Sequence, residues 1–190
     1  LLPCQTITPK ILPTLFENGN APNTHVIKMV LSEEDLVVPK DATTTFALQH
    51  YYDEPQHYEA HFHTYLPYIS LLINGIYWDE KYPRLITKNE LAKLYQEQDA
   101  PRIRVIGDIS CDLNGSIEFL EKITNQDQPT FVYEPASAKV IDGVAGRGPV
   151  VLGVDNLPCE LSHDSSEHFS AMLKPFVAAL AQCDFSLDFA

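Results

Sequence analysis

Basic residues are few. Thirteen Lys and Arg stand against 26 Asp and Glu, and the 190-residue chain carries a formal net charge of −13. Such a surface lacks the Lys/Arg clusters that nucleic-acid phosphates and anionic membranes require, so neither is an expected partner. Any anionic ligand must be held by local groups. No apolar run is long enough to cross a bilayer, and LLPCQTITPK at the start has no basic segment followed by an apolar one, as a signal peptide would. The first residue is not Met, and the chain reads as a piece of a longer polypeptide. The four cysteines, Cys4, Cys111, Cys159 and Cys183, are scattered and form no CxxC pair. That excludes zinc-finger spacing and a dense disulfide framework, and it points to free thiols in a reducing compartment. No GxSxG elbow, HExxH pair or GxGxxG phosphate loop is present. GVAGRG at 143–148 comes late in the chain, opens no helix, and reads as a hairpin turn.

The chain does have material for a core, since 45% of its residues are hydrophobic. CQTIT, HVIKMVLS, ISLLINGIYW, RIRVIGDIS, PTFVYEP and PVVLGVDNLP read as strands, and ENGNAPN at 17–23 as a turn cluster. The unbroken apolar character of ISLLINGIYW suits a parallel strand buried on both faces. The spacing of Tyr58, Phe62 and Tyr65 after Pro55 predicts a helix over 53–68. TKNELAKLYQEQ predicts a second helix, capped at Thr87 or at Lys88-Asn89. SIEFLEKIT fits either a short helix or an extended piece. Phe169, Met172, Leu173, Phe176, Val177 and Leu180 share one face of a long helix over 162–182, capped by Ser165 or Ser166 and interrupted by Pro175. Strands alternating with helices give an α/β class, with a mostly parallel sheet and flanking helices. Ligands of such sheets bind at the carboxyl ends of strands, which here read LLING, VIGDISCD and LGVDN.

Two chemistries are weighed and set aside. His57 and His61 lie four apart in HYEAHFH, with Glu59 and His63 nearby, but no third ligand is specified; the segment reads as a His- and Tyr-rich surface and no metal is expected. Cys111 sits among aspartates that would raise its pKa and blunt it as a nucleophile. Asp112, just before Asn114-Gly115, is either a turn-forming residue or a ligand-facing carboxylate. Asp108, nearer the strand, reads as structural.

LINGIYWDEKYPRLIT, GDISCDLNGSIEF and VDNLPCELSHDSSEHFSAMLKPFV, in that order, resemble the lysine-2-oxoglutarate reductase (saccharopine-forming) part of the bifunctional aminoadipic semialdehyde synthases. More distantly they resemble alanine dehydrogenase and the nicotinamide nucleotide transhydrogenases. The resemblance runs from about residue 1 to 182 and implies a Rossmann-like domain incomplete at its N-terminal side. Residues 1–160 would be a partial nicotinamide-cofactor domain, and residues 161–190 a helix returning toward a separate substrate domain. The first strand, the glycine loop and the substrate domain with the family's catalytic Lys and His would lie upstream, so neither residue is assigned here.

The resemblance further implies that Asn74, Gly75, Ile76 and Tyr77 stand beside the nicotinamide and that Asp155 and Asn156 reach its amide. Asp112 would be the catalytic residue, facing nicotinamide and substrate. Many relatives carry an acid at the end of the second strand; here the matching place reads Thr8-Pro9-Lys10, which suits the 2′-phosphate of NADP better than NAD. The implied substrates are L-lysine and 2-oxoglutarate, with saccharopine the product. The expected location is cytoplasmic, or the mitochondrial matrix for an animal protein, and the missing central strand would favour a homo-oligomer. An alanine-dehydrogenase-like oxidoreductase and a non-catalytic interaction domain remain open alternatives.

Overall fold

The computed structural model describes residues 3–16 and 24–184, so ENGNAPN lies outside the described residues. The chain divides into two units, residues 1–155 and 156–190. In the first, β1 (Cys4–Ile7) runs through a 3-10 turn (Pro9–Ile11) into α1 (Leu12–Phe16) and pairs in parallel with β2 (Val26–Met29). After α2 (Glu33–Leu36), β3 (Val37–Pro39) pairs antiparallel with β4 (Tyr58–Ala60), and α3 (Leu48–Asp53) fills the connection between them.

The helix expected over 53–68 does not form. The α3 helix ends at Asp53, and Glu54 takes φ −134°, ψ 59°. A residue before proline is pushed out of the helical region, so Pro55 ends one helix without starting another. Pro55–His57 make a single 3-10 turn and the chain then extends as β4. Tyr58 is buried through sheet pairing and an edge contact with Tyr51, their centroids 5.2 Å apart. Val37, Tyr51 and Tyr58 form a small cluster of their own.

The main sheet has the order β5-β6-β9-β7-β8: β5 (Leu71–Asn74), β6 (Val105–Asp108), β7 (Thr130–Glu134), β8 (Lys139–Asp142) and β9 (Val150–Leu152). The pairs β5–β6 and β6–β9 are parallel; β7 runs antiparallel to both β9 and β8. The α/β class is thus observed, and the parallel strands are those that carry the polar ends. Strand β5 is not buried on both faces: Leu72 and Asn74 are buried, but Leu71 and Ile73 are 57% and 62% exposed. Its apolar run reads like a doubly covered strand, yet only one face meets the core.

That core gathers Leu72, Ile106 and Val151 from the parallel strands with Leu91 and Leu94 of α4 (Lys88–Glu97). Helix α4 starts as the sequence indicates. The Thr87 hydroxyl accepts from Glu90 N at 3.2 Å while the Glu90 carboxylate accepts from Thr87 N at 2.8 Å, a reciprocal cap. Residues 116–124 form neither a helix nor a strand: the isolated bridges Ile86–Ile117 and Thr124–Val154 flank a turn in which Leu120 N donates to the Ile117 carbonyl at 3.0 Å.

GVAGRG is not a hairpin turn. It links β8 to β9, which lie on opposite sides of β7. The loop crosses β7 closely enough that a Cβ on Gly148 would sit 1.7 Å from the Tyr133 carbonyl oxygen. The glycine serves a close backbone crossing.

In the second unit a 3-10 turn (Leu157–Leu161) leads into α5 (Ser162–Gln182). The helix spans the expected residues but starts earlier than its expected caps. Leu161 occupies the capping position without a side-chain bond, and Ser165 and Ser166 fall inside the helix.

Candidate functional site

Strands β5 and β6 are parallel and in a register that sets Asn74 opposite Asp108, each the last residue of its strand. The Asn74 amide nitrogen lies 2.9 Å from Asp108 Oδ1, 2.8 Å from Ser116 Oγ and 3.1 Å from Ser110 Oγ. Ser110 Oγ donates to the same Asp108 Oδ1 at 2.6 Å. Asn74, Asp108 and Ser116 are all buried. Among the described residues Asn74 Oδ1 and Asp108 Oδ2 receive no hydrogen bond. Two buried acceptors without donors are costly, and here they sit at the carboxyl ends of parallel strands, where α/β sheets take their ligands.

Beyond Asp108 the backbone is tightly shaped. Cys111 and Asn114 have φ of 56° and 49°, and Gly115 N donates to the Asp112 carbonyl at 2.9 Å. A Cβ on Gly115 would lie 2.5 Å from Asp112 Cβ, so only glycine closes this turn. The Arg84 guanidinium donates to the carbonyls of Asn114 and Gly115 and stacks 4.8 Å from the Trp78 ring. The Ser116 carbonyl accepts from Leu85 N and Ile86 N. The turn is held from both sides, and the Asp112 side chain projects from it, exposed and making no hydrogen bond among the described residues.

The Cys111 thiol is buried and donates to the Gly153 carbonyl at 3.0 Å. Burial raises its pKa first, and the charges of Asp108, Asp155 and Asp112 raise it further. The thiol stays protonated at neutral pH and is no nucleophile, as expected from its acidic neighbours.

The expected site residues do not all converge. Asn74 ends β5, Asp112 lies on the turn four residues beyond the end of β6, and Asp155 lies three residues beyond the end of β9. Gly75 follows Asn74 with open space where a Cβ would point, Ile76 is half-buried against the core, and Tyr77 is 81% exposed with its hydroxyl 3.4 Å from Asp79 Oδ2. Thr8 and Lys10 are exposed at the end of β1, in a different sheet, and no hydrogen bond ties them to the Asn74 group. Asn156 opens the second unit, where its carbonyl accepts from Cys159 N. Sequence reasoning missed Ser110, Ser116, Arg84 and Trp78. Lone serines and an arginine in a loop carry no periodic signal, and only the fold brings them to Asp108 and its turn.

No protein-family model matches the chain. Curated proteins do. Alpha-aminoadipic semialdehyde synthase of Arabidopsis thaliana is 34% identical over 191 residues, 95% of this chain and 18% of the relative. The mitochondrial alpha-aminoadipic semialdehyde synthase of Bos taurus is 32% identical over 96% of this chain and 21% of its own length. The chain is homologous to one segment of alpha-aminoadipic semialdehyde synthase. It spans about a fifth of the length of these relatives. The saccharopine dehydrogenase [NAD(+), L-lysine-forming] of Schizosaccharomyces pombe matches over 121 residues at 31% identity, 60% of this chain and 29% of that protein.

Proposed function

We propose that the chain is the nicotinamide-cofactor portion of a longer oxidoreductase of lysine metabolism, with a Rossmann-like arrangement of its parallel strands. The observation that carries this reading is homology across nearly the whole chain to alpha-aminoadipic semialdehyde synthases, together with the match to a saccharopine dehydrogenase. The reaction proposed is the reductive condensation of L-lysine with 2-oxoglutarate. The amine and the ketone join with loss of water to an imine, and addition of hydride and a proton to the C=N bond gives saccharopine.

The residues at the strand ends fit one part of a nicotinamide cofactor. Its carboxamide offers two N–H donors, and Asn74 Oδ1 and Asp108 Oδ2 are buried acceptors that lack them. The open space beside Gly75 admits a flat ring without displacing a side chain. When bound, the cofactor supplies the hydride. Asn74, Asp108 and Asp155 would hold and orient its nicotinamide end, with Gly75, Ile76 and Tyr77 as the wall beside it. Asp112 is the catalytic residue of this proposal: its exposed carboxylate stabilises positive charge on the imine nitrogen. A phosphate cradle is not present among the described residues, and in this reading it belongs to the longer polypeptide. Thr8 and Lys10, neutral and cationic where an acid would favour NAD, support NADP. The bovine and murine relatives, named as mitochondrial, support a mitochondrial location for an animal protein, which this reading takes to be the matrix; for other organisms the reading is cytoplasmic. Self-association through the open strand edges completes the reading.

The test compares NADPH and NADH binding to this chain and to a polypeptide extended upstream. The longer polypeptide is expected to bind NADPH more tightly than NADH and to oxidise it only with both lysine and 2-oxoglutarate present; this chain alone is expected to do neither. A wide preference for NADH would end the NADP assignment, and no nicotinamide binding by either polypeptide would end the oxidoreductase reading.

A further inference from the structure

Away from the strand ends, a second group of side chains converges where the expected helix broke. Because Glu54 leaves the helical region before Pro55, the turn Pro55–His57 folds back over the end of α3. One ligand-capable atom from each of His50, Glu54 and His57 then lies within 4.8 Å of the other two. We infer that these three residues form a surface site for a divalent transition-metal ion of the zinc class. This inference stands independently of the proposed oxidoreductase function.

The donor set suits the ion. Two imidazoles and one carboxylate are a common zinc triad, and a water completes the tetrahedron. At metal–ligand lengths near 2.1 Å, tetrahedral ligands stand about 3.4 Å apart. His57 Nδ1 and Glu54 Oε2 are already at 3.4 Å, and the His50 and His57 rings are stacked with centroids 5.6 Å apart. The closure still required is a rotamer adjustment of exposed side chains.

The backbone beneath the three residues is fixed. Glu54 N donates to the His50 carbonyl at 2.8 Å, and His57 N to the Glu54 carbonyl at 3.1 Å. The His57 carbonyl accepts from Lys40 N at 2.8 Å, and the Lys40 ammonium donates to the Gln56 carbonyl. One ligand also has a supporting partner. His50 Nδ1 is 3.0 Å from the hydroxyl of buried Tyr58, which donates onward to the Ala47 carbonyl at 3.4 Å. The Tyr58 oxygen is then left to accept from Nδ1–H, and the lone pair rests on Nε2, the tautomer a metal takes. The pair weighed from sequence, His57 with His61, fails because those residues share no helix. The third ligand comes instead from upstream, at His50.

The experiment titrates the purified protein with ZnCl2 and, as a spectroscopic probe, with CoCl2. One equivalent is expected to bind, with cobalt d–d bands and no thiolate charge-transfer band. His50→Ala and His57→Ala should each weaken binding about tenfold or more, and Tyr58→Phe, which keeps the core, should weaken it by about tenfold through His50 orientation. His61→Ala/His63→Ala should bind as the parent does. Absence of binding would overturn the inference. So would a thiolate band, which would assign the ion to Cys4, Cys159 or Cys183, or affinity unchanged by His50→Ala and His57→Ala in variants whose circular dichroism matches the parent.

Discussion

Two side chains four residues apart in the sequence show how differently one residue type can be used. Asp108 is buried and takes part in a polar network; Asp112 is exposed on a turn held by backbone bonds and by the Arg84 guanidinium. Removing the donor of the first should cost stability, and removing the charge of the second should cost chemistry. Asn74→Ala leaves Asp108 with less compensation for its burial and is expected to destabilise the protein by about 2 kcal/mol, read from the urea midpoint. Asp112→Asn should change stability by less than about 0.5 kcal/mol. In the proposed reaction it should lower turnover of the longer polypeptide by roughly tenfold or more while leaving NADPH binding in place. Equal losses of stability in both variants would make Asp112 a turn residue only.

Among the elements, those governed by local chemistry were legible. The reciprocal Thr87–Glu90 cap starts α4, and the strand ends LLING and VIGDISCD lie side by side as parallel neighbours. What failed depended on what lies across from a segment. The spacing of Tyr58, Phe62 and Tyr65 mimics a helix, yet Tyr58 is buried by pairing with β3, a partner sequence periodicity does not disclose. The run ISLLINGIYW reads as doubly covered although only one face of β5 meets the core. Asn74 was legible as a strand-end polar residue, but its serine partners were not, since they come from 36 and 42 residues downstream. The glycines of GVAGRG were visible, but the backbone they cross was not. Gly148→Ala forces a Cβ against the Tyr133 carbonyl and is expected to cost about 3 kcal/mol or prevent folding. Gly75→Ala, facing open space, should leave the urea midpoint unchanged.

For the whole molecule, the tyrosines set an alkaline limit. Burial, then the charges of Tyr82 and Glu33, push the Tyr51 hydroxyl up to about 12 from 10.0, and burial also raises Tyr95 and Tyr133. A raised pKa means that the unfolded chain gives up the proton first. Between about pH 10 and 12 the folded state holds more protons than the unfolded one, so stability falls as pH rises through that window and is unaffected by these groups below it. Urea midpoints measured from pH 8 to 11 should begin to decline near pH 9, where the unfolded Cys111 thiol ionises and the folded one does not, and should fall more steeply above about pH 10; Tyr51→Phe should flatten only the steeper part.

One feature of the main sheet reaches past this polypeptide. Strand β5 is an edge: it bonds to β6 on one side and to nothing among the described residues on the other. Its last residue is Asn74, the hub of the polar network. A strand laid in parallel along that edge would finish next to those orphaned acceptors. In the longer polypeptide proposed above, a strand docked there would be expected to couple folding of the sheet to formation of the candidate site, so two separately expressed parts should bind a nicotinamide cofactor only after mixing.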